Sequence, residues 1–170
     1  MEKSKKIYLV GLPGAGKSTL GKELAEYLGY VFADLDSEIE NAAGMTIPEY
    51  FIHQGEGNFR IMEKETLHSF ASKHDSFVLA TGGGTPCFHY NMDFMNETGL
   101  TIFLDVSAGD LALRILDQGV ENRPLFKSYD HQDLIQEVRD LAENRMDFYN
   151  QAQIKIRDNR ITLDKIISYL

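Results

Sequence analysis

A chain of 170 residues, 43% hydrophobic and 25% charged, has the size and composition of one ordinary globular domain and lacks the ~20-residue apolar run of a membrane span. Its net charge of −9 weighs against a nucleic-acid partner, because phosphate backbones reward basic surfaces, although a few local donors can still hold a phosphate on an acidic protein. The single cysteine, Cys87, excludes an internal disulfide framework, and the apolar run after the basic start is too short for a signal peptide, so a cytoplasmic location is expected.

Ile7-Tyr8-Leu9-Val10 reads as a buried strand that ends in glycine. Leu20, Leu24 and Leu28 at four-residue spacing, with Gly29 at the expected C-cap, describe an amphipathic helix. A second strand is expected over Tyr30–Ala33, followed by the acidic Asp34-Leu35-Asp36. Two or three helices then fill Ser37–Phe70, broken near Gly44–Pro48 and again near Gly55–Gly57. Phe77–Ala80 is a third strand closed by Thr81 and three glycines, and Leu100–Val106 a fourth, with a helix over Ala108–Leu116. Gln118–Asp130 is polar and irregular, the pattern of a mobile loop. Asp133–Tyr149 reads as a long helix and Ile154–Arg157 as a fifth strand. Thr162 caps a last helix carrying Leu163, Ile166, Ile167 and Leu170 on one stripe. Short apolar strands alternating with helices predict one α/β domain with a largely parallel sheet covered on both faces.

Gly11-Leu12-Pro13-Gly14-Ala15-Gly16-Lys17-Ser18 fits G-x-x-x-x-G-K-[ST] at every fixed position, between an expected strand and an expected helix. The glycines let backbone N–H groups turn inward around a phosphate, and the helix adds its positive end. Lys17 reaches β- and γ-phosphates, and Ser18 is placed to ligand Mg²⁺. A dinucleotide loop is disfavoured because Thr19 stands where its third glycine belongs. No guanine-reading N-K-x-D motif accompanies the loop.

Asp34 and Asp36, two apart after a strand, would point the same way in an extended segment, so both carboxylates could face a cleft. Spacing alone leaves helix capping an equal alternative. Arg60 and Arg145 fit a carboxylate ligand, which planar guanidinium forks hold in bidentate fashion; a solvated ion pair is the plainer reading of each. Gly82, Gly83 and Gly84 end a strand at the edge where open α/β sheets bind ligands, and would let an acceptor approach the backbone.

The P-loop followed by Thr19-Leu20-Gly21, then Asp34-Leu35-Asp36, Gly55-Glu56-Gly57-Asn58-Phe59-Arg60, Thr81-Gly82-Gly83-Gly84, Arg123-Pro124-Leu125 and Arg145 four residues before Tyr149, resembles the shikimate kinase family in content and order across nearly the whole chain. The resemblance implies a three-layer P-loop NTPase fold over residues 1–170, with a five-stranded parallel sheet, helices on both faces and a mobile lid at about 117–131. It also implies an acceptor-binding helical region at about 34–62. The activity implied is transfer of the γ-phosphate of ATP to the 3-hydroxyl of shikimate, in the route to chorismate and aromatic amino acids, with ATP and Mg²⁺ required. No nucleic-acid or membrane partner is expected, and a monomer is. ATP would be held by Gly14, Ala15, Gly16, Lys17, Ser18 and Thr19, with Arg114 and Arg157 near the base and the lid's Arg123 over the phosphates. Asp34 would support Mg²⁺ together with Ser18. Asp36 would bind acceptor hydroxyls and take the transferred proton, so that Lys17, Asp36 and Arg123 form the catalytic set. Arg60 and Arg145 would hold the carboxylate beside Gly82, Gly83 and Gly84. Apart from the resemblance, the (i, i+3) spacing lets Glu63 orient Arg60.

The chain departs from the family pattern at Phe126 in the lid motif. It departs again at Asp147 and Phe148, where proline and leucine are common, which questions a local helix bend, and at Gln151. A gluconate or nucleoside monophosphate kinase of the same architecture is the nearest rival. A non-catalytic ATP-binding module is the rival from another class. The five histidines and Cys87 show no metal-ligand spacing, and Met92, Met95, Phe88 and Phe94 read as packing on a helix.

Overall fold

The computed structural model describes residues 5–117 and 131–170. Five strands, β1 (Lys6–Val10), β2 (Val31–Asp34), β3 (Phe77–Ala80), β4 (Leu100–Asp105) and β5 (Ile154–Arg157), form one sheet in the order β2-β3-β1-β4-β5, with every pairing parallel. Leu9 sits opposite Ala80 on one side and Ile102 on the other. In β1, β3 and β4 consecutive residues are buried. Successive strand side chains point to opposite faces, so both faces are covered, giving the three layers expected from the sequence. The covering helices are α1 (Lys17–Leu28), α2 (Leu35–Ala43), α3 (Ile47–Lys73), α4 (Asn91–Thr98), α5 (Ala108–Asp117), α6 (His131–Tyr149) and α7 (Leu163–Ile167). No helix among the described residues is long and apolar enough to cross a membrane.

Local chemistry explains the boundaries. Gly29 takes the left-handed conformation at the end of α1 (φ 69°), and Tyr30 N–H bonds back to Ala25 O. That bond closes the helix and spends the donor Tyr30 would have brought to the sheet, so β2 begins at Val31, one residue later than the sequence suggests. Thr46 and Glu49 form a reciprocal capping box at the start of α3. The break expected near Gly55–Gly57 is a kink at Gly55 (φ 76°, ψ 168°), after which the helix resumes. Helix α6 runs unbroken to Tyr149, so Asp147 and Phe148 are accommodated within regular helix. A 3₁₀ turn over Thr85–Cys87 follows the glycine run and was not foreseen.

The backbones of β1 and the α4–β4 junction meet at Gly99. A Cβ there would lie 2.4 Å from Lys6 O and 2.9 Å from the Tyr8 ring, and a backbone oxygen beside a central strand cannot step aside. Gly99→Ala is therefore expected to lower stability by at least about 2 kcal/mol, measured as a shift of the urea midpoint at unchanged m-value.

Candidate active site

The site is built where the parallel strands end. β1 runs straight into the glycine loop, in which Gly11, Gly14 and Gly16 all have positive φ, a conformation that exposes backbone N–H groups along the loop. Gly16 caps α1 with no side-chain hydrogen bond, leaving the helix's first-turn donors to another acceptor. Lys17 is buried, and its Nζ donates to Gly11 O at 2.7 Å and Leu12 O at 2.9 Å, which folds the ammonium over the loop.

Beside the loop, Ser18 Oγ donates to Asp34 Oδ2 at 2.5 Å. Asp34 is the last residue of β2 and the N-cap of α2, its Oδ1 accepting from Asp36 N–H at 3.0 Å. Capping and site geometry are thus properties of one side chain. The route by which the two aspartates come together differs from the expected one. Asp36 lies in the first turn of α2, outside any extended segment, and the strand-to-helix corner, stitched by that cap, brings the carboxylates near each other.

The glycines after β3 mark where the remaining groups converge. A Cβ on Gly82 would stand 3.0 Å from Asp36 Oδ1, one on Gly83 2.8 Å from Arg145 Nη1, and one on Gly84 2.7 Å from both Arg60 Nη atoms. Asp36, Arg60 and Arg145, far apart in the chain, therefore meet over a backbone stripped of side chains. Arg60 Nη1 pairs with Glu63 Oε2 at 2.9 Å, as the (i, i+3) spacing predicts, and Nη2 with Glu56 at 3.3 Å. Glu63 is 1% exposed and also accepts from Thr85 Oγ1 at 2.6 Å, so one buried carboxylate ties Arg60 to the turn after the glycines.

Two contributors are residues to which the sequence assigns no role. Thr85 is fully buried inside the unforeseen 3₁₀ turn. Tyr149, quoted above only as part of a motif, is fully buried and donates from its hydroxyl to Gly83 O at 2.5 Å. It sits one helical turn from Arg145, so α6 both supplies the second arginine and clamps the glycine turn. Phe88 also departs from expectation. It precedes α4, which starts at Asn91, and its ring lies 4.1 Å from the Arg60 guanidinium carbon. Met92 and Met95 are ordinary core, as read.

On the nucleotide side, Arg114 Nη1 donates to Gly14 O at 3.2 Å and Nη2 to Asn159 O, bracing the loop against the segment after β5. Arg157 pairs with Asp105 at 3.3 Å and is 88% exposed; it lines a cavity with Leu12, Asp105, Val106, Ser107 and Met146. Arg123, Phe126 and most of the lid expected at about 117–131 lie outside the described residues.

Burial pushes the Asp36 carboxyl up to about 6; the charges of Asp34 and Glu63 act in the same direction and Lys17 opposes them. Burial likewise raises the Cys87 thiol and the Tyr149 phenol, each opposed by Arg145. Among the described residues no group of three or more His, Cys, Asp or Glu could hold a metal on its own.

A nucleotide loop, a carboxylate tuned toward neutrality and two guanidinium groups over a bare turn suit transfer of a phosphoryl group to a small hydroxy acid. The comparisons agree. A family model described as Shikimate kinase matches residues 13–170. A shikimate kinase of Bacteroides thetaiotaomicron is 42% identical over 148 residues, covering 87% of this chain and 83% of that one. The crystal structure of shikimate kinase from Bacteroides thetaiotaomicron matches with a TM-score of 0.88 at 38% identity, covering 97% of this chain and 93% of the other. Shikimate kinase from Acinetobacter baumannii in complex with shikimate matches at 0.84 and 36% identity, covering 97% and 89%. Matched over nearly its full length in sequence and in fold, the chain belongs to the shikimate kinase family.

Proposed function

We propose that this chain moves the γ-phosphate of ATP to the 3-hydroxyl of shikimate, giving shikimate 3-phosphate and ADP, with the nucleotide on the glycine loop and the acceptor at the Gly82–Gly84 turn. The observation that carries the reading is the convergence of Asp36, Arg60 and Arg145 on that turn. Two guanidinium forks suit one carboxylate, and a carboxylate base beside them suits an adjacent hydroxyl.

In this reading the N–H groups of Gly14, Ala15, Gly16, Lys17, Ser18 and Thr19 receive the phosphates, aided by the uncapped start of α1. Lys17 draws charge from the transferring group. Ser18 and Asp34 would hold Mg²⁺, and their touching oxygens fit a hard cation that takes one or two protein ligands and otherwise phosphate and water. Bound there, the ion would neutralise phosphate charge. Arg60 and Arg145 hold the acceptor carboxylate. Asp36 receives the proton of the attacking hydroxyl. Arg114 and Arg157 serve the base side of the nucleotide. Arg123 rests on its sequence motif alone and is assigned to the phosphates, within a lid at about 117–131 that faces an acceptor region at about 34–62 of one kinase domain.

ADP release in the presence of ATP and Mg²⁺ should be strongly stimulated by shikimate and left near background by gluconate or nucleoside monophosphates. Stimulation by gluconate instead would keep the kinase and overturn the acceptor. Arg145→Ala should raise the KM for shikimate by at least about tenfold, the scale of a lost charge-assisted bond, with the KM for ATP within about twofold; a selective loss of ATP affinity would contradict the assignment.

Asp36 adds a pH-dependent test. Its folded value lies above its ordinary one, so folding is favoured by the protonated form and that advantage disappears as pH rises through about 6. Asp36→Asn should therefore stabilise the fold above about pH 6, by up to about 3 kcal/mol, and leave it unchanged below about pH 4, while abolishing turnover. In the wild type, kcat/KM should fall as pH drops through about 6. Equal thermal midpoints for wild type and Asp36→Asn at pH 8 would exclude the buried-charge account.

A further inference from the structure

Resting on the acceptor reading above, we propose that Phe88 is a positioning residue for the acceptor's carboxylate, acting through the plane of the Arg60 guanidinium. A guanidinium offers five in-plane N–H donors and two π faces. Neighbours that fix it by hydrogen bonding consume donors that a carboxylate ligand would need. Arg60 already gives Nη1 to Glu63 and Nη2 to Glu56, and its Nε is buried without a hydrogen-bond partner. Phe88 instead lies 4.1 Å from the guanidinium carbon, closer than the 5.1 Å of Phe59. Contact with a ring face restrains the group and excludes water from one side while leaving its N–H edge available.

The backbone that carries Phe88 is built for this contact. His89 (φ 51°) and Tyr90 (φ 59°) are the only non-glycine residues with positive φ among the described residues, and two in succession are unfavourable for L-residues. Both are exposed, so burial of their side chains does not hold them there. Their conformation turns the chain between the extended Phe88 and the start of α4. Asn91 fastens the turn from inside, its backbone N–H donating to Phe88 O at 3.0 Å and its Nδ2 to Thr85 O at 3.0 Å. Cys87 N–H donates to Gly84 O at 2.9 Å. The ring over Arg60 and the glycines under it are thereby parts of one short, internally bonded segment. Strained backbone that persists next to a site points to a constraint imposed by that site.

The experiment is steady-state kinetics with both substrates varied, on Phe88→Leu, Phe88→Tyr, Arg60→Lys and the Phe88→Leu/Arg60→Lys double variant. Phe88→Leu should raise the KM for shikimate roughly 3- to 10-fold, the scale of a partly desolvated cation–π contact, with kcat and the KM for ATP within about twofold. Phe88→Tyr, which keeps the ring face, should restore the acceptor KM to within about twofold of wild type. Lysine has no planar face, so in the Arg60→Lys background the Phe88→Leu effect should vanish. If Phe88→Leu does not fold, Phe88→Met, flexible and without a ring face, carries the same expectation. An unchanged acceptor KM, an equal rise in the ATP KM, or an undiminished effect in the Arg60→Lys background would each overturn the proposal. An Arg60→Lys enzyme with wild-type acceptor KM would instead remove the acceptor reading beneath it, so the two failures are distinguishable.

Discussion

Everything gathered around the turn after β3 depends on the absence of three side chains. Gly82, Gly83 and Gly84 leave the end of β3 open, and the space that Cβ atoms would fill is taken by Asp36, Arg145 and Arg60. Two of the built Cβ positions fall below 3 Å from guanidinium nitrogens. Alanine at either would therefore displace an arginine. The turn also organises what surrounds it: Tyr149 holds Gly83 O from α6, and Thr85 carries the hydrogen bond to Glu63.

Charge placement explains how an acidic protein can present a site for an anion. Arg60, side chain 11% exposed, is partnered by a carboxylate that is 1% exposed, and burying the pair would be costly without the second donor from Thr85. Glu63 keeps Arg60 aimed, yet leaves part of its donor edge unspent. Burial above all, then Asp34 and this same carboxylate, lift Asp36. Glu63 thus bears on two groups with opposite requirements, a fixed cation and a carboxyl that can exchange a proton near neutrality.

Asp34 shows the same economy. As N-cap it satisfies Asp36 N–H and starts α2; with its second oxygen it meets Ser18. Spacing alone leaves helix capping and a place in the cleft as alternatives for the two aspartates. For Asp34 they coincide because a carboxylate has two oxygens, and a strand-to-helix corner can aim one at the helix start and the other at Ser18. Asp36, by contrast, is held above its ordinary range by burial and by neighbouring charge, so its ionised form weakens the fold as pH rises through about 6.

The sequence by itself determined the sheet, its helices and the nucleotide loop, because these rest on local signals: apolar runs, helical periodicity, capping residues and glycines at fixed offsets. It also carried the pairing of Arg60 with Glu63, since three residues is one turn of helix. Only the tertiary structure decided that Arg60, Arg145 and Asp36 share one turn, that Tyr149 clamps it and that Phe88 leaves the helix to cover a guanidinium. Those contacts join residues up to 66 positions apart, and their geometry is set by how helices pack on the sheet and by a left-handed turn at His89 and Tyr90. Neither leaves a periodic trace in the chain, because packing distance and backbone hand are properties of the assembled layers.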